Sequence, residues 1–195
     1  ETGVNASSLN EIKLPEIWLF QFLPKMQKMD LIIRQSTECG VTKIIPIISD
    51  FSSKDFSYKK DDFERTARWE RIVKEARQQS GSAINTTIEN PMLLEDALKM
   101  WNEGAKGCGF VLHEERKKKK NIFSVLKENT NINKIGIAVG SEGGISEKEI
   151  CVLQETDFNL VHFKTNVLRA ETASLYGIAA IQTAMTELDE WHIHE

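Results

Sequence analysis

The sequence predicts an α/β protein whose mainly parallel sheet carries helices on both faces. Three observations carry that prediction. Apolar runs at residues 17–23, 41–48 and 135–139 read as buried strands. Between them lie stretches whose apolar residues recur three and four apart, as an amphipathic helix requires. Gly and Pro mark the changes of period, with Pro24 after the first run and Gly40 and Gly81 after helical stretches. Strands that alternate with helices lie parallel, because each helix carries the chain back to the edge it left.

The elements follow in order. Residues 1–15 are polar and mixed and read as an arm or linker remnant, leaving 16–195 as one domain. The strand at 17–23 stops at Pro24, and Met29, Ile32, Ile33 and Thr37 then fall on one helical face, with Gly40 as its cap. A second strand at 41–48 is followed by a polar loop to about residue 60. Asp61 with Glu64 opens a helix whose apolar stripe is Trp69, Ile72, Val73 and Ala76, and which ends near Gly81. A short strand at 84–88, a helix at 93–101 and strands at 109–112 and 135–139 come next. Ser146 with Glu149 forms a capping-box pattern opening another helix. A strand at 158–163 precedes a final helix at 172–188, with Leu175, Ile178, Ala179, Gln182 and Met185 expected on its packed side.

Composition narrows the function. At 195 residues with 41% hydrophobic and 28% charged residues, the chain suits one soluble globular domain. A net charge of −4 gives no global case for nucleic acid, although the cations are unevenly spread. The three cysteines, Cys39, Cys108 and Cys151, have no Cys-x-x-Cys spacing. They argue against a disulfide framework or thiolate metal site and suit a reducing cytoplasm. No metal is expected. No apolar run approaches the roughly 20 residues of a membrane span, and no signal-peptide pattern is present.

The chemistry concentrates in two segments, Gly140-Ser141-Glu142-Gly143-Gly144 and Val167-Leu168-Arg169-Ala170-Glu171-Thr172-Ala173. Each lies between a strand and a helix, at the strand's carboxyl end, where ligands of open α/β sheets bind. The glycines lack the G-x-G-x-x-G spacing and the Lys-Ser/Thr of nucleotide-phosphate loops. Glu142 would repel a phosphate, which points to a neutral or cationic ligand or to a carboxylate capping backbone N–H groups. In the second segment Thr172 suits a helix N-cap, and Arg169 with Glu171 suits a surface ion pair worth roughly 0–1 kcal/mol. Arg116, Lys117, Lys118, Lys119 and Lys120 follow the strand ending at Leu112 and His113. Such a run is either solvated surface or a phosphate anchor with strong salt dependence. His113 is a pocket-lining residue.

These residues resemble the bacterial small-subunit ribosomal RNA methyltransferases that modify N3 of a uridine, the RsmE family of the knotted SPOUT superfamily. The likeness rests on residues 137–146 with Glu149, where the family has a Gly-Pro-Glu-Gly-Gly turn, and on 167–173, similar to its Leu-Arg-x-Glu-Thr-Ala segment. Residues 28–41 and 75–81 echo it more weakly, so the likeness runs from about residue 16 to the end. It implies a deep C-terminal trefoil knot, a homodimer, a cytoplasmic enzyme of ribosome biogenesis, and S-adenosylmethionine as cofactor. The cofactor set it implies is Leu112, His113, Val139, Gly140, Ser141, Glu142, Gly143, Gly144, Phe163, Val167, Leu168, Ala170, Thr172 and Ala173. The catalytic set is Arg169, Glu171 and Thr172, with Arg116 to Lys120 on ribosomal RNA. The chain departs from the family pattern at Ser141, where Pro is usual, at Ser82, where Arg often stands, and at residues 162–166. The family's upstream β-barrel RNA-binding domain is also expected to be absent. The alternatives are a knotted RNA-binding module without turnover, or a knotted methyltransferase acting on another nucleotide.

Overall fold

In the computed structural model, which describes residues 15–52, 62–113, 121–129 and 132–191, the first strand lies in the middle of the sheet. The chain runs β1 (Glu16–Phe22), α1 (Met26–Glu38), β2 (Lys43–Ile48), α2 (Asp62–Ser80), β3 (Thr87–Ile88), β4 (Met92–Leu93) and α3 (Leu94–Asn102). It continues with β5 (Gly107–Leu112), α4 (Ile122–Glu128), β6 (Lys134–Val139), α5 (Glu147–Glu155), β7 (Phe158–Val161) and α6 (Ala170–Trp191). The 7-stranded sheet has the order β3-β2-β1-β6-β5-β7, with β4 also on β2. All of its strand pairings are parallel.

Both faces are covered, as the alternating pattern requires. Ile17 and Leu19 of β1 point into one apolar cluster with Met29, Ile32 and Ile33 of α1, Trp69 of α2, Val125 of α4 and Ile178 and Ile181 of α6. Trp18, Phe20 and Phe22 point the other way, against Leu98 and Trp101 of α3 and Ile150 and Leu153 of α5. This alternation within a wholly apolar strand is what a sheet buried on both sides demands. An aromatic knot of Phe20, Trp101 and Phe158 fills the second layer, with edge-on centroid distances of 5.7 and 5.3 Å from Phe20.

The structure corrects several boundaries. The strand expected at 84–88 is only Thr87–Ile88, and the one expected at 158–163 ends at Val161. Helix α6 begins two residues before Thr172 and reaches Trp191. Its packed side is Ser174, Gly177, Ile178, Ile181, Ala184 and Met185, while Ala179 is exposed and Leu175 and Gln182 lie half-buried. Helix α4 and strand β4 were not expected. Asp61 lies outside the described residues.

At the amino end of β6, Lys134 is 4% exposed. It donates to the Trp101 carbonyl and, at 2.9 Å, to that of Glu103, just past α3. Its ammonium also lies 5.0 and 4.6 Å from the Trp18 and Trp101 ring centres. Burial pushes its pKa down, against the pull of Glu16 and Glu103. A lowered value means that burying the charge costs stability at neutral pH, a cost relieved as pH rises through that value. Lys134→Met is expected to lower stability by about 1–3 kcal/mol, because two carbonyls at the end of α3 lose their donor. A urea midpoint equal to that of the unaltered protein would show the lysine to be dispensable.

Candidate active site

Four adjacent strands finish level with one another. Gln21 of β1 and Leu112 of β5 both face Val139 of β6, and Leu112 also faces Val161 of β7. The loops that follow therefore leave from one edge. The two segments singled out in the sequence are brought together there.

The first is a tight turn after β6. Ser141 and Gly144 form a bridge, with the Gly144 N–H donating to the Ser141 carbonyl at 3.0 Å. Gly144 has φ 81°, the left-handed region that favours glycine. A Cβ on Gly140 would stand 2.7 Å from the Gly144 carbonyl carbon, so the turn folds back on itself only without one. The predicted capping box is present. Ser146 Oγ accepts from the Glu149 N–H, and Glu149 Oε2 accepts from the Ser146 N–H at 2.8 Å. A second turn, after β2, seats on this one. The Asp50 N–H donates to Glu149 Oε1, Ser146 Oγ donates to Asp50 Oδ2 at 3.2 Å, and Phe51 packs on Gly143.

The second segment enters α6. Ala170 is buried, Leu168 half-buried, and Val167, Arg169 and Thr172 exposed. The Ala173 N–H already donates to the Arg169 carbonyl at 2.7 Å, so Thr172 lies inside the first turn and is not the N-cap expected from sequence. Phe163 meets Tyr176 edge-on at 4.8 Å, and Leu112, Phe163 and Ala173 pack against the main core. The His113 N–H extends the ladder to the Val161 carbonyl at 3.0 Å, and its own carbonyl lies 3.2 Å from His162 Nδ1. Val139, expected to line the cofactor, is 2% exposed, and its carbonyl is taken up by Gln21 Nε2 at 3.3 Å.

The expected Arg169–Glu171 ion pair is replaced by another. Lys28, in the first turn of α1, reaches Glu142 at 3.0 Å and Glu171 at 3.7 Å. Partial burial pushes the Glu142 carboxyl up. The Lys28 ammonium and the N–H groups of Glu142 and Lys25 outweigh it and hold the pKa below the usual carboxylate range. Such a group contributes stability that is complete at neutral pH and is lost as pH falls through the lowered value.

The sequence reading missed Gln21, Ser174 and Lys28. Gln21 is fully buried, and its amide nitrogen donates to the carbonyls of Phe22 at 2.9 Å, Val139 at 3.3 Å and Gly140 at 3.4 Å. Its Oε1 accepts from Ser174 Oγ at 2.6 Å, and that hydroxyl also lies 2.9 Å from the Ala170 carbonyl. One side chain thus joins the glycine turn to the head of α6. The signal was a lone amide inside an apolar run and a lone hydroxyl on an apolar helix face. Lys28 heads the segment 28–41 that echoes the family, but nothing local pairs it with Glu142 or Glu171.

Arg116 to Lys120 lie outside the described residues. The described residues show no cluster of metal-ligating side chains and no helix long and apolar enough to cross a membrane. A cleft of 800 Å³ opens at the opposite edge, by Gly107, Cys108 and Phe158, away from both segments.

Residues 10–182 match the RNA methyltransferase domain family. The chain is 34% identical over 166 residues to the ribosomal RNA small subunit methyltransferase E of Aquifex aeolicus, covering 84% of this chain and 67% of that protein. The enzyme of the same name from Bacillus subtilis is 31% identical over 176 residues, covering 89% and 67%. A ribosomal RNA small subunit methyltransferase E from Neisseria gonorrhoeae, crystallised with S-adenosyl methionine, superposes with a TM-score of 0.72 at 30% identity, over 87% of this chain and 66% of that one. The chain thus spans about two thirds of these relatives' length. With its two signature turns joined at one edge of a parallel sheet, the chain belongs to the RNA methyltransferase domain family, beside the ribosomal RNA small subunit methyltransferases E.

Proposed function

We propose that this chain transfers a methyl group from S-adenosylmethionine to N3 of a uridine in small-subunit ribosomal RNA. The observation that carries the reading is the junction of the glycine turn and the head of α6 through Gln21 and Ser174. Two buried polar atoms at this junction, Ser141 Oγ and Glu171 Oε2, have no hydrogen-bond partner among the described residues. Buried polar groups are normally satisfied. A hydroxyl and a carboxylate beside bare turn backbone suit a ligand with amino, ribose and adenine groups. The acidic residues also suit a sulfonium better than a phosphate.

When bound, S-adenosylmethionine supplies an electrophilic methyl group. The chain's task is to present uridine as its N3 anion, because the ring N–H titrates well above neutral pH. Arg169, exposed in the free protein, is the cation for that anion, and its charge lowers the barrier most once bound RNA covers it and excludes water. Since N3 lies on the Watson–Crick edge, the base must be unpaired or flipped out. Arg116 to Lys120 are proposed to hold neighbouring phosphates, and a homodimer with a knotted path for α6 completes the reading. The packing of α6 against α1, far from β7 in the sheet order, is consistent with such a path.

Thermal denaturation with S-adenosylmethionine, NAD and ATP tests the cofactor. At one hundred times its dissociation constant a ligand stabilises by about 2.7 kcal/mol, here roughly 5–11 °C. S-adenosylmethionine is expected to give that shift and the other two none. Tritium transfer to small-subunit ribosomal RNA tests the reaction. RNA binding without any shift would make the chain an RNA-binding module instead.

A further inference from the structure

Lys28 stands between the only two carboxylates of the paired signature turns. Its ammonium lies 3.0 Å from Glu142 Oε1 and 3.7 Å from Glu171 Oε2. The second distance is an ionic contact and not a hydrogen bond. Accordingly Glu171 Oε2 is buried without a hydrogen-bond partner among the described residues, and Lys28 is its counter-charge. Glu142 is fixed a second time by the Lys25 N–H at 3.3 Å. The start of α1 is thus a third wall of the site, contributed by a segment more than a hundred residues before the turns it touches.

We propose that Lys28 is a positioning residue that couples the two signature turns and sets the charge a cationic cofactor meets. The inference rests on the methyltransferase reading. With Lys28 present the three side chains sum to one negative charge, and without it to two. The turns then carry two unopposed carboxylates, which repel each other and attract any cation more strongly. A sulfonium gains from the change, whereas the neutral thioether left after methyl transfer does not. Lys28 therefore moderates the preference for the charged cofactor over its product.

The experiment is calorimetric titration of Lys28→Met and Lys28→Gln with S-adenosylmethionine and with S-adenosylhomocysteine, which differ in that one charge. Their affinity ratio is expected to move about three- to tenfold toward the sulfonium, as loss of a partly screened neighbouring charge predicts. Lys28→Arg is expected to restore the ratio to within twofold. In the free protein, the Glu142 carboxyl followed by carbon NMR is expected to titrate at higher pH in both neutral variants. Equal weakening of both ligands would show a merely structural lysine and overturn the proposal, as would an unmoved Glu142 titration. Lys28→Gln keeps most of the reach and hydrogen bonding, so the ratio remains measurable should the Met variant fail to fold. If the unaltered protein bound neither ligand, the methyltransferase reading would fall and this inference with it. A normal parent with an unchanged ratio in the variants would overturn this inference alone.

Discussion

Arg169→Ala is expected to slow methyl transfer about a hundred- to a thousandfold while leaving S-adenosylmethionine affinity within a few-fold. Arg169 is exposed and forms no ion pair among the described residues, so its removal is expected to cost the fold little. Its backbone carbonyl accepts from the Ala173 N–H at 2.7 Å, and alanine keeps that bond. A cation unspent on the fold is free to meet charge that develops on the substrate. Groups in that role are worth about 2.7–4 kcal/mol, or a hundred- to a thousandfold in turnover. Calorimetry beside tritium transfer to ribosomal RNA separates binding from chemistry. Unchanged turnover would remove Arg169 from the mechanism, and a large loss of cofactor affinity would make it a binding residue.

Gln21→Leu is expected to act in the opposite way, through the scaffold. Leucine roughly fills the volume but strips the donor from the Phe22, Val139 and Gly140 carbonyls and the acceptor from Ser174. Strand pairing still serves some of these carbonyls, so a loss of about 2–4 kcal/mol is expected. Cofactor affinity should fall at least tenfold, about 1.4 kcal/mol, because the turn and the head of α6 lose their link. Ser174→Ala keeps the amide and should cost less. The double variant discriminates, since partners in one network couple by about 0.5–3 kcal/mol. Simple additivity of the two substitutions would show that Gln21 and Ser174 do not act as a unit.

The layered sheet was legible because each of its main strands is apolar on both faces. Ile17 and Leu19 point to one cluster and Trp18 and Phe20 to the other, so an unbroken run could belong only to a covered strand. The capping box at Ser146 and Glu149 was readable because its chemistry is local. What stayed hidden depended on distant contacts. The packed side of α6 was misjudged at Ala179 because its neighbours α1, α4 and β6 leave that position facing outward. Strand β4 is two residues long and exists through pairing with the end of β2, which no periodicity can reveal. Of the site, the sequence disclosed the two turns but not their fasteners. A polar residue within an apolar stripe does not announce its partner, and Lys28 looks like any surface lysine until α1 is folded back beside Glu142.

The hydrogen bond from Ser174 to Gln21 spans 153 positions. A chain emerging from the ribosome amino end first makes Gln21 early and Ser174 late, at synthesis rates of about 5–20 residues per second. Roughly 8–30 seconds thus separate the synthesis of the amide from that of the hydroxyl it binds. The link between the glycine turn and the head of α6 can therefore close only after α6 itself has been made.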